Sequence, residues 1–410
     1  MPTTSRAAVR RLALARAISL TGSAAAFAAL NFVIYQKTQS PAWIAAAMLL
    51  TWGVGGVAAL FAGSLGDRFD RKRVMVLSDL GGALTFGAMA FIDDPALLIG
   101  VAFLSALAES PFLAASAAAI PNLVDERDLG WANGLLMIGR NVGIIVGPLV
   151  GGVLIATFGA GWVFGMNAIS FVVSAGLVWS VRAAFSSPSR REDEPVNLTA
   201  GIRFVARHRV LRAMALALIP IQLGQGLSLV ADVPLVTLFD VGAFGYGALI
   251  AFWGFGSIIG SLAGRFLNRR IEPVVFAAGS ITVTAMCLFV GLSPIFVGVL
   301  AAVCVMGFGE GSQSVAQQSI MQRRTPDAVR SRVAAAIDAC SQLAIGLAFI
   351  VAAPIVAWLG PRGTYVFGGL IGLLSILALG PVLAARRDVT GEAEPMSRPL
   401  STQPPAAGPQ

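Results

Sequence analysis

Two near copies of one short basic stretch decide how this chain is organised. The first, "GSLGDRFDRKR", covers residues 63–73, and the second, "GSLAGRFLNRR", covers residues 260–270. They share Gly, Ser, Leu, Arg, Phe and Arg at matching positions and lie almost half a chain length apart, which indicates an internal duplication. Only the first copy carries an acid at its fifth position, where Asp67 corresponds to Gly264.

The rest of the chain is strongly apolar. Of its 410 residues 56% are hydrophobic and only 12% charged, whereas soluble proteins carry about 25% charge. Apolar runs of roughly 20 residues recur, which is the length a helix needs to cross a bilayer. Because the chain shows no ten-residue alternation typical of barrel strands, the composition predicts an all-α membrane protein.

The apolar runs and the short turns between them predict 12 transmembrane helices. The predicted spans cover residues 13–36, 42–63, 74–92, 96–120, 131–157, 161–181, 211–236, 245–264, 273–292, 295–319, 332–359 and 363–385. The first run has a basic lead like that of a signal peptide, but it is too long for one. We therefore interpret it as an uncleaved first span.

The basic residues predict the orientation. With both termini in the cytoplasm, all of the 29 Lys and Arg fall on the cytoplasmic side except Lys37, Arg140 and Arg362. Basic residues accumulate on that side of membrane proteins. We therefore expect a multi-pass protein of the cell (cytoplasmic) membrane with cytoplasmic termini. This distribution accounts for the net charge of +8, so no nucleic-acid partner is expected.

The repeat also predicts the domain organisation. Each copy follows the second span of a set of six, which favours two pseudo-symmetric six-helix bundles. We assign residues 1–181 to an N-terminal bundle, 182–210 to a cytoplasmic linker and 211–385 to a C-terminal bundle. Residues 386–410 are polar and Pro-rich and are expected to form a disordered cytoplasmic tail.

At this point the sequence resembles the major facilitator superfamily. The matching loop residues are Gly63, Leu65, Asp67, Arg68, Phe69, Arg71, Lys72 and Arg73, although the family pattern has Gly where this chain has Asp70. The stretches "AAIPNLVDERDLGWANGL" (118–135) and "NAISFVVSA" (167–175) resemble its drug:H⁺ antiporter-3, or enterobactin-exporter-like, branch. The resemblance implies a secondary transporter with the twelve-helix fold of that family.

The resemblance gives the first basic loop a role as a conformational latch. In the family, the acid that corresponds to Asp67 pairs with a nearby Arg and faces a helix dipole of the other half, which holds the inner side closed. An acid near a helix N-terminus gains about 0.3–1 kcal/mol. An alternative is that the basic residues only set the topology. The predicted latch comprises Gly63, Asp67, Arg68, Arg71 and Arg73.

The fifth span carries a second pattern, which resembles the family's antiporter motif. Small residues at four-residue spacing let helices approach closely, and a proline bends its helix. Such a helix would seal the pore while it flexes; the alternative is ordinary glycine-mediated packing. The residues of the pattern are Gly134, Gly143, Gly147, Pro148, Gly151 and Gly152.

Ionisable residues within spans are costly and usually face a cavity or a partner. Glu109 and Glu310 stand at corresponding places in spans four and ten. Arg140 lies at a similar depth to Glu109, so we expect those two to pair, which leaves Glu310 alone. A carboxylate that binds either a proton or a cationic substrate provides a minimal antiport mechanism, so we predict that Glu310, with Glu109 and Arg140, carries proton coupling. Structural hydrogen bonding remains an alternative for both glutamates, and Asp232 is either a gate or an interfacial charge.

The resemblance also implies that spans one, four, seven and ten line a central cavity. Polar residues on three of these spans are then candidate substrate contacts: Asn31, Gln222, Gln225 and Gln313.

Together these features predict a proton-coupled antiporter that exports a small amphipathic molecule such as a drug or siderophore. An importer (symporter) of a small solute is the alternative. No phosphate-binding loop is present, so the energy is expected to come from an ion gradient. With His208 as the single histidine and three scattered cysteines, we expect no enzyme activity, no metal and no cofactor. The expected partners are a small-molecule substrate, protons and the lipid bilayer, and the expected state is a monomer.

Overall fold

The computed structural model of the protein describes residues 6–54, 69–182, 185, 198–326 and 329–384, which contain helices and no strands. The first half of the chain contains α1 (Arg6–Thr38), α2 (Pro41–Met48), α3 (Arg71–Met89), α4 (Pro95–Leu123), α5 (Leu129–Phe158) and α6 (Ala160–Trp179). The second half contains α7 (Leu198–Arg207), α8 (Arg209–Leu238), α9 (Gly242–Ser261), α10 (Glu272–Leu292), α11 (Phe296–Arg324), α12 (Arg330–Leu373) and α13 (Ser375–Ala384). A π-helical segment, Leu49–Val54, continues α2.

Side-chain caps fix where several helices begin. The Asp70 carboxylate accepts a hydrogen bond from the backbone N–H of Arg73 at 3.0 Å and so caps α3. Asp94 caps α4 in the same way through Leu97 at 2.9 Å. An acid at the position before a helix satisfies one of its free N–H groups. Asp70, which departs from the family's usual glycine, therefore has a local structural role.

The long helix α12 is divided by Gly360, whose backbone adopts φ 69°. Because this left-handed conformation is open mainly to glycine, the chain turns here and a second helical segment follows. Within the described residues, nine helical stretches are long and apolar enough to cross a membrane when Arg332–Ala384 is taken as one stretch. The shorter apolar stretch Pro41–Gly53 and the helix α3 are not among them.

Helices pack mainly within their own half of the chain. In the first half α1 packs on α5 and α6, and α3 packs on α4 and α6. In the second half α8 packs on α12 and α13, while α11 packs on α9 and α10. Two larger contacts join the halves, one between α5 and α9 and one between α2 and α12. The amphipathic α7 lies against α12.

Buried apolar side chains form three clusters that distinguish the two ends of the helices. One cluster draws on both halves and includes Ile34 and Tyr365. It lies near the short connections at residues 39–40, 90–94, 159, 239–241, 293–295 and 360, which we call the short-connection end. The other clusters, around Leu12 and around Met214, each stay within one half at the opposite end, where most Arg residues lie; we call it the basic end. Among the described residues, the buried core is therefore shared between the halves at the short-connection end and not at the basic end.

Candidate functional site

A cavity of about 340 Å³ lies among the helices of the first half. Its walls come from α1, α3, α4, α6 and the π-helical segment after α2. On α1 the lining residues recur every three or four positions and so form one face of the helix. They are Arg16, Ser19, Leu20, Ser23, Ala26, Phe27 and Leu30. The cavity is thus elongated along α1.

Three charged side chains line the cavity: Arg16, Asp79 and Glu109. Glu109 accepts hydrogen bonds from the hydroxyls of Ser105 at 3.0 Å and Ser23 at 3.4 Å. Asp79 is buried and accepts one from the hydroxyl of Ser174 at 2.7 Å. Within the described part of the chain, neither carboxylate has an ion-pair partner within 4.0 Å. The cavity therefore holds two acids and one base, none of them in a direct ion pair.

Aromatic rings line the same cavity. Phe27 on α1 and Trp52 on the π-helical segment stack with ring centroids 5.3 Å apart and an interplanar angle of 26°. At the Arg16 end, the guanidinium lies 5.8 Å from the ring centroid of Phe112. Irregular π-helical turns are frequent at functional sites. The cavity thus has an aromatic pair towards the short-connection end and charged groups towards the basic end.

The expected ion pair between Glu109 and Arg140 is wrong. Arg140 is exposed on α5, whereas Glu109 points into the cavity towards α1. The two residues lie at a similar predicted depth in the membrane, but depth does not determine the direction in which each side chain leaves its helix. The basic residue that shares the cavity with Glu109 is Arg16.

Glu310 lies on α11 in the second half and is bound by two donors. The side-chain amide of Gln225 and the indole N–H of Trp253 each donate to its Oε2 atom at 2.9 Å. Among the described residues no basic group pairs with Glu310. Of the predicted substrate contacts, Gln225 is thus placed beside a candidate carboxylate.

Asp232 is buried at the short-connection end and lies away from the cavity. Only 5% of its surface is exposed, and it accepts a hydrogen bond from the hydroxyl of Tyr365. Tyr246 is also buried there, and Asn31 of α1 lies beside its hydroxyl. Cys287 donates to the Tyr365 carbonyl at 3.3 Å. Asp232 therefore belongs to a closed polar cluster on which both halves converge.

The other three residues predicted to contact substrate lie in different surroundings. The Asn31 amide donates to the carbonyl of Phe27 at 2.9 Å within its own helix, while its Oδ1 atom is buried without a hydrogen-bond partner. Gln313 is buried and donates to Ser280 of α10 at 2.8 Å, so it lies between two helices of the second half. Gln222 is half-buried on α8.

The glycine pattern of the fifth span lies on α5 and packs on two sides. A Cβ atom added to Gly143, Gly147 or Gly151 would lie 2.5–2.9 Å from atoms of α1. One added to Gly152 would lie 2.8 Å from the carbonyl oxygen of Ala243 on α9. Gly134 meets nothing within 4 Å, and Pro148 lies inside the helix with its carbonyl against Gly247. Helix α5 therefore bridges α1 and the second half.

Only part of the predicted latch is described. Gly63, Asp67 and Arg68 lie outside the described residues. Arg71 donates to the carbonyl of Phe185 at 3.5 Å, its neighbour Lys72 donates to that of Val181 at 2.7 Å, and Arg73 supplies the capped N–H of α3. The Lys72 contact places a basic side chain just beyond the C-terminal end of α6, where cations are favourable. The Arg71 and Lys72 contacts join elements of the same half.

Sequence reasoning missed two charged residues of the cavity. They are Arg16, which was counted among the basic residues of the cytoplasmic side, and Asp79. The signal that was available is the polar face of α1, where Arg16, Ser19 and Ser23 follow one another at helical spacing. Their spacing predicts a shared helix face, but the partners of that face depend on the tertiary fold.

Comparisons with known proteins agree with this architecture. The model of the Major Facilitator Superfamily matches residues 12–349, so the chain belongs to that family and is a transporter of a multi-pass, helical type. This confirms the family predicted from the loop signature. The chain is 28% identical over 344 residues to the enterobactin exporter EntS of Escherichia coli O1:K1, with 80% of each chain covered. It is 29% identical over 346 residues to that of Shigella boydii serotype 18.

Solved structures with this fold include transporters of varied substrates. The nucleoside transporter NupG superposes with a TM-score of 0.71 at 14% identity, covering 92% of this chain and 98% of that one. A POT family transporter in complex with 5-aminolevulinic acid gives a TM-score of 0.77 at 10% identity, covering 95% and 99%. At these identities the likeness defines the fold alone.

Proposed function

We propose that the chain is a proton-coupled antiporter that exports a small amphipathic molecule across the cytoplasmic membrane by alternating access. The observation that carries this proposal is the cavity in which Asp79, Glu109 and Arg16 share space with aromatic rings. Carboxylates inside a membrane protein mark proton and substrate pathways in general. The similarity to enterobactin exporters supports export and a siderophore-like or drug-like substrate.

We also propose the complete twelve-span, two-bundle layout. The nine long apolar stretches, the shorter Pro41–Gly53, the helix α3 and the division of α12 at Gly360 together supply twelve spans. The bundles would be residues 1–181 and 211–385, joined by the linker 182–210 and followed by a cytoplasmic tail at 386–410. Packing mainly within each half favours this division, and the functional unit would be a monomer.

In this layout the conformation is open towards the cytoplasm. The halves share one buried core at the short-connection end and have separate cores at the basic end. The distribution of Lys and Arg assigns the basic end to the cytoplasm, with both termini on that side. Rocking of the bundles about the α5–α9 contact would reverse the opening, with the Gly63, Asp67, Arg68, Arg71 and Arg73 loop acting as the latch.

Proton coupling is assigned to Glu109 together with Glu310. Glu109 lies in the cavity beside two serine hydroxyls, which can rotate to serve either the ionised or the protonated carboxyl group. Glu310 is held by Trp253 and Gln225 from two different helices, so its charge can report on how those helices are arranged. Asp79 and Arg16 would complete the exchange site.

An accumulation and resistance screen tests the proposal. Cells expressing the chain are exposed to a panel of amphipathic drugs and siderophores, with and without a protonophore. We expect at least one compound to accumulate less in expressing cells, and this difference to vanish when the proton gradient is collapsed. Greater accumulation in expressing cells would favour the importer instead. Efflux that persists without any ion gradient would contradict proton coupling.

A further inference from the structure

We propose that the cavity of the first half binds an aromatic monocation, with its ring on the Phe27–Trp52 pair and its ammonium group at Glu109. This inference rests on the proposed function because it names the substrate class of the same site. It depends on three features of the cavity: its charge, its aromatic pair and the separation between them.

The charges in the cavity favour a cation. Its lining includes two carboxylates, Asp79 and Glu109, against the single guanidinium of Arg16. Neither carboxylate has an ion-pair partner within 4.0 Å in the described ranges. A desolvated carboxylate without a direct ion-pair partner is costly, and either a proton or a bound cation removes that cost. Because both neutralise the same group, a cationic ligand and a proton compete, as an exchange mechanism requires.

The aromatic pair supplies the second part of the site. Trp52 lines the cavity and keeps 44% of its surface exposed while stacking on Phe27. A flat ring of the ligand can stack on the same platform, and such aromatic contacts add about 0.5–1.5 kcal/mol beyond burial. Thr51, next to Trp52 on the π-helical segment, also lines the cavity.

The register of α1 sets the distance between ring and charge. Glu109 receives its hydrogen bond from Ser23, and Phe27 lies one helical turn further along α1. Four residues of helix correspond to about 6 Å of rise. A linker of about three carbon atoms between ring and nitrogen spans this distance. Arg16 lies in the opposite direction along α1, about 10 Å from Ser23 by the same rise per residue. Its positive charge acts on both Glu109 and Asp79, so it offsets one of the two negative charges and leaves the other for a cationic ligand.

Binding to the purified full-length chain in lipid nanodiscs tests the inference without any gradient. The probes are phenylalkylammonium ions with linkers of one to five carbons, together with the matched alcohols and carboxylates. We expect the three-carbon ammonium to bind at least about tenfold more tightly than its alcohol. Glu109→Gln is expected to remove this preference, so that ammonium and alcohol bind alike, whereas Trp52→Ala weakens both.

Trp52→Phe keeps an aromatic ring and should bind the ligands more tightly than Trp52→Ala does. Two surface variants serve as controls. Trp162→Ala removes an exposed tryptophan of α6, and Asp93→Asn removes an exposed acid paired with Lys37; neither lines the cavity. Equal binding of ammonium and alcohol, tightest binding of the carboxylate, or no dependence on linker length overturns the inference. The proposed function fails separately: an ammonium that binds as expected but moves without proton dependence contradicts coupling and leaves this assignment intact.

Discussion

The two halves of the chain share a scaffold but hold their membrane-embedded acids differently. In the first half, Asp79 and Glu109 face a cavity and receive hydrogen bonds from serine hydroxyls. In the second half, Glu310 is fixed by an indole and an amide, and Asp232 is sealed against Tyr365. Hydroxyls can reverse their donor and acceptor roles, whereas an indole N–H only donates. In the proposed function, the first half exchanges ligands and the second half responds to the arrangement of its helices.

The repeated basic loop shows a similar divergence, with a visible steric cause. In the second copy Gly264 replaces the acid, and a Cβ atom at this position would lie 2.7 Å from a methyl carbon of Val315 on α11. A carboxylate side chain would therefore not fit unless the Val315 side chain moved. At the same end Glu272 is buried and pairs with Arg323 at 3.2 Å, so the second half carries its own fixed ion pair there.

The largest expected effect is a difference in transport between the variants of Glu109 and Glu310. Glu109→Gln should abolish proton-coupled exchange in proteoliposomes, because the amide cannot exchange a proton with the cavity. Glu310→Gln should reduce the rate by about tenfold, since its amide oxygen can still accept from Trp253. Exchange rates measured with and without a pH gradient check both variants. A larger loss in Glu310→Gln than in Glu109→Gln would reverse the comparison.

The next effect concerns how α5 joins the halves. Gly147→Ala should lower the free energy of unfolding by about 1–3 kcal/mol, because its Cβ would lie 2.5 Å from the Thr21 carbonyl oxygen on α1. Gly152→Ala faces α9 instead and should slow transport more than it lowers stability. Thermal unfolding in detergent, combined with transport assays, separates these outcomes. Gly134→Ala meets nothing within 4 Å and is the matched control; the same loss of stability in this variant would argue against the packing explanation.

An effect of similar size is expected in the sealed cluster of the second half. Tyr365→Phe removes the hydroxyl donor from Asp232 and leaves a buried carboxylate with a lost hydrogen bond, at a cost of about 1–3 kcal/mol. Asp232→Asn keeps an acceptor for the Tyr365 hydroxyl and removes the charge, so it should cost less. Thermal denaturation of the two variants decides the order. A larger loss of thermal stability in Asp232→Asn than in Tyr365→Phe would mean that the charge of Asp232 is itself stabilising, which would contradict this explanation.

The smallest effect concerns the beginning of the second half. His208 caps α8 by accepting the backbone N–H of Leu211 at 3.4 Å, which requires its neutral form. Burial and, secondarily, the nearby Arg324 lower the pKa of His208. This stabilisation is therefore present above the ordinary histidine pKa and is lost as the pH falls through the lowered value. Hydrogen exchange of the α7–α8 junction should rise on acidification, by an amount equivalent to about 1 kcal/mol.

A capping variant provides the control for the histidine. His208→Asn keeps a side-chain oxygen that can accept from Leu211 and does not ionise in this range, so the pH dependence at this junction should disappear. If exchange at the junction rises with acid in His208→Asn as it does in the original chain, another group is responsible.

Much of the fold was predictable from the sequence because a membrane helix is recognised from a consecutive run of apolar residues. The apolar runs, the loop signature and the glycine pattern led to the confirmed family and to the break near Gly360 between the last two predicted spans. Element boundaries agree closely where Pro or Asp marks a helix start, as at Pro95. These features depend on residues that are near one another in the chain.

The site was less predictable because it depends on rotation of each helix about its axis. Depth along the membrane placed Glu109 and Arg140 together, yet the two form no ion pair. Arg140 is exposed on α5, and Arg16 is the basic residue that lines the cavity with Glu109. Likewise Gln313, although on a span expected to line the cavity, turns towards Ser280. Neither orientation follows from spacing within a single helix, because small-residue contacts with neighbouring helices set it.

Proton release on ligand binding tests the central claim most directly. The purified chain is placed in weakly buffered detergent near neutral pH, and a compound identified by the efflux screen is added while the pH is recorded. Exchange in the cavity of the first half predicts release of up to about one proton per bound molecule from the original chain and none from Glu109→Gln. Equal release from both proteins, or none from the original chain despite binding, would contradict the account.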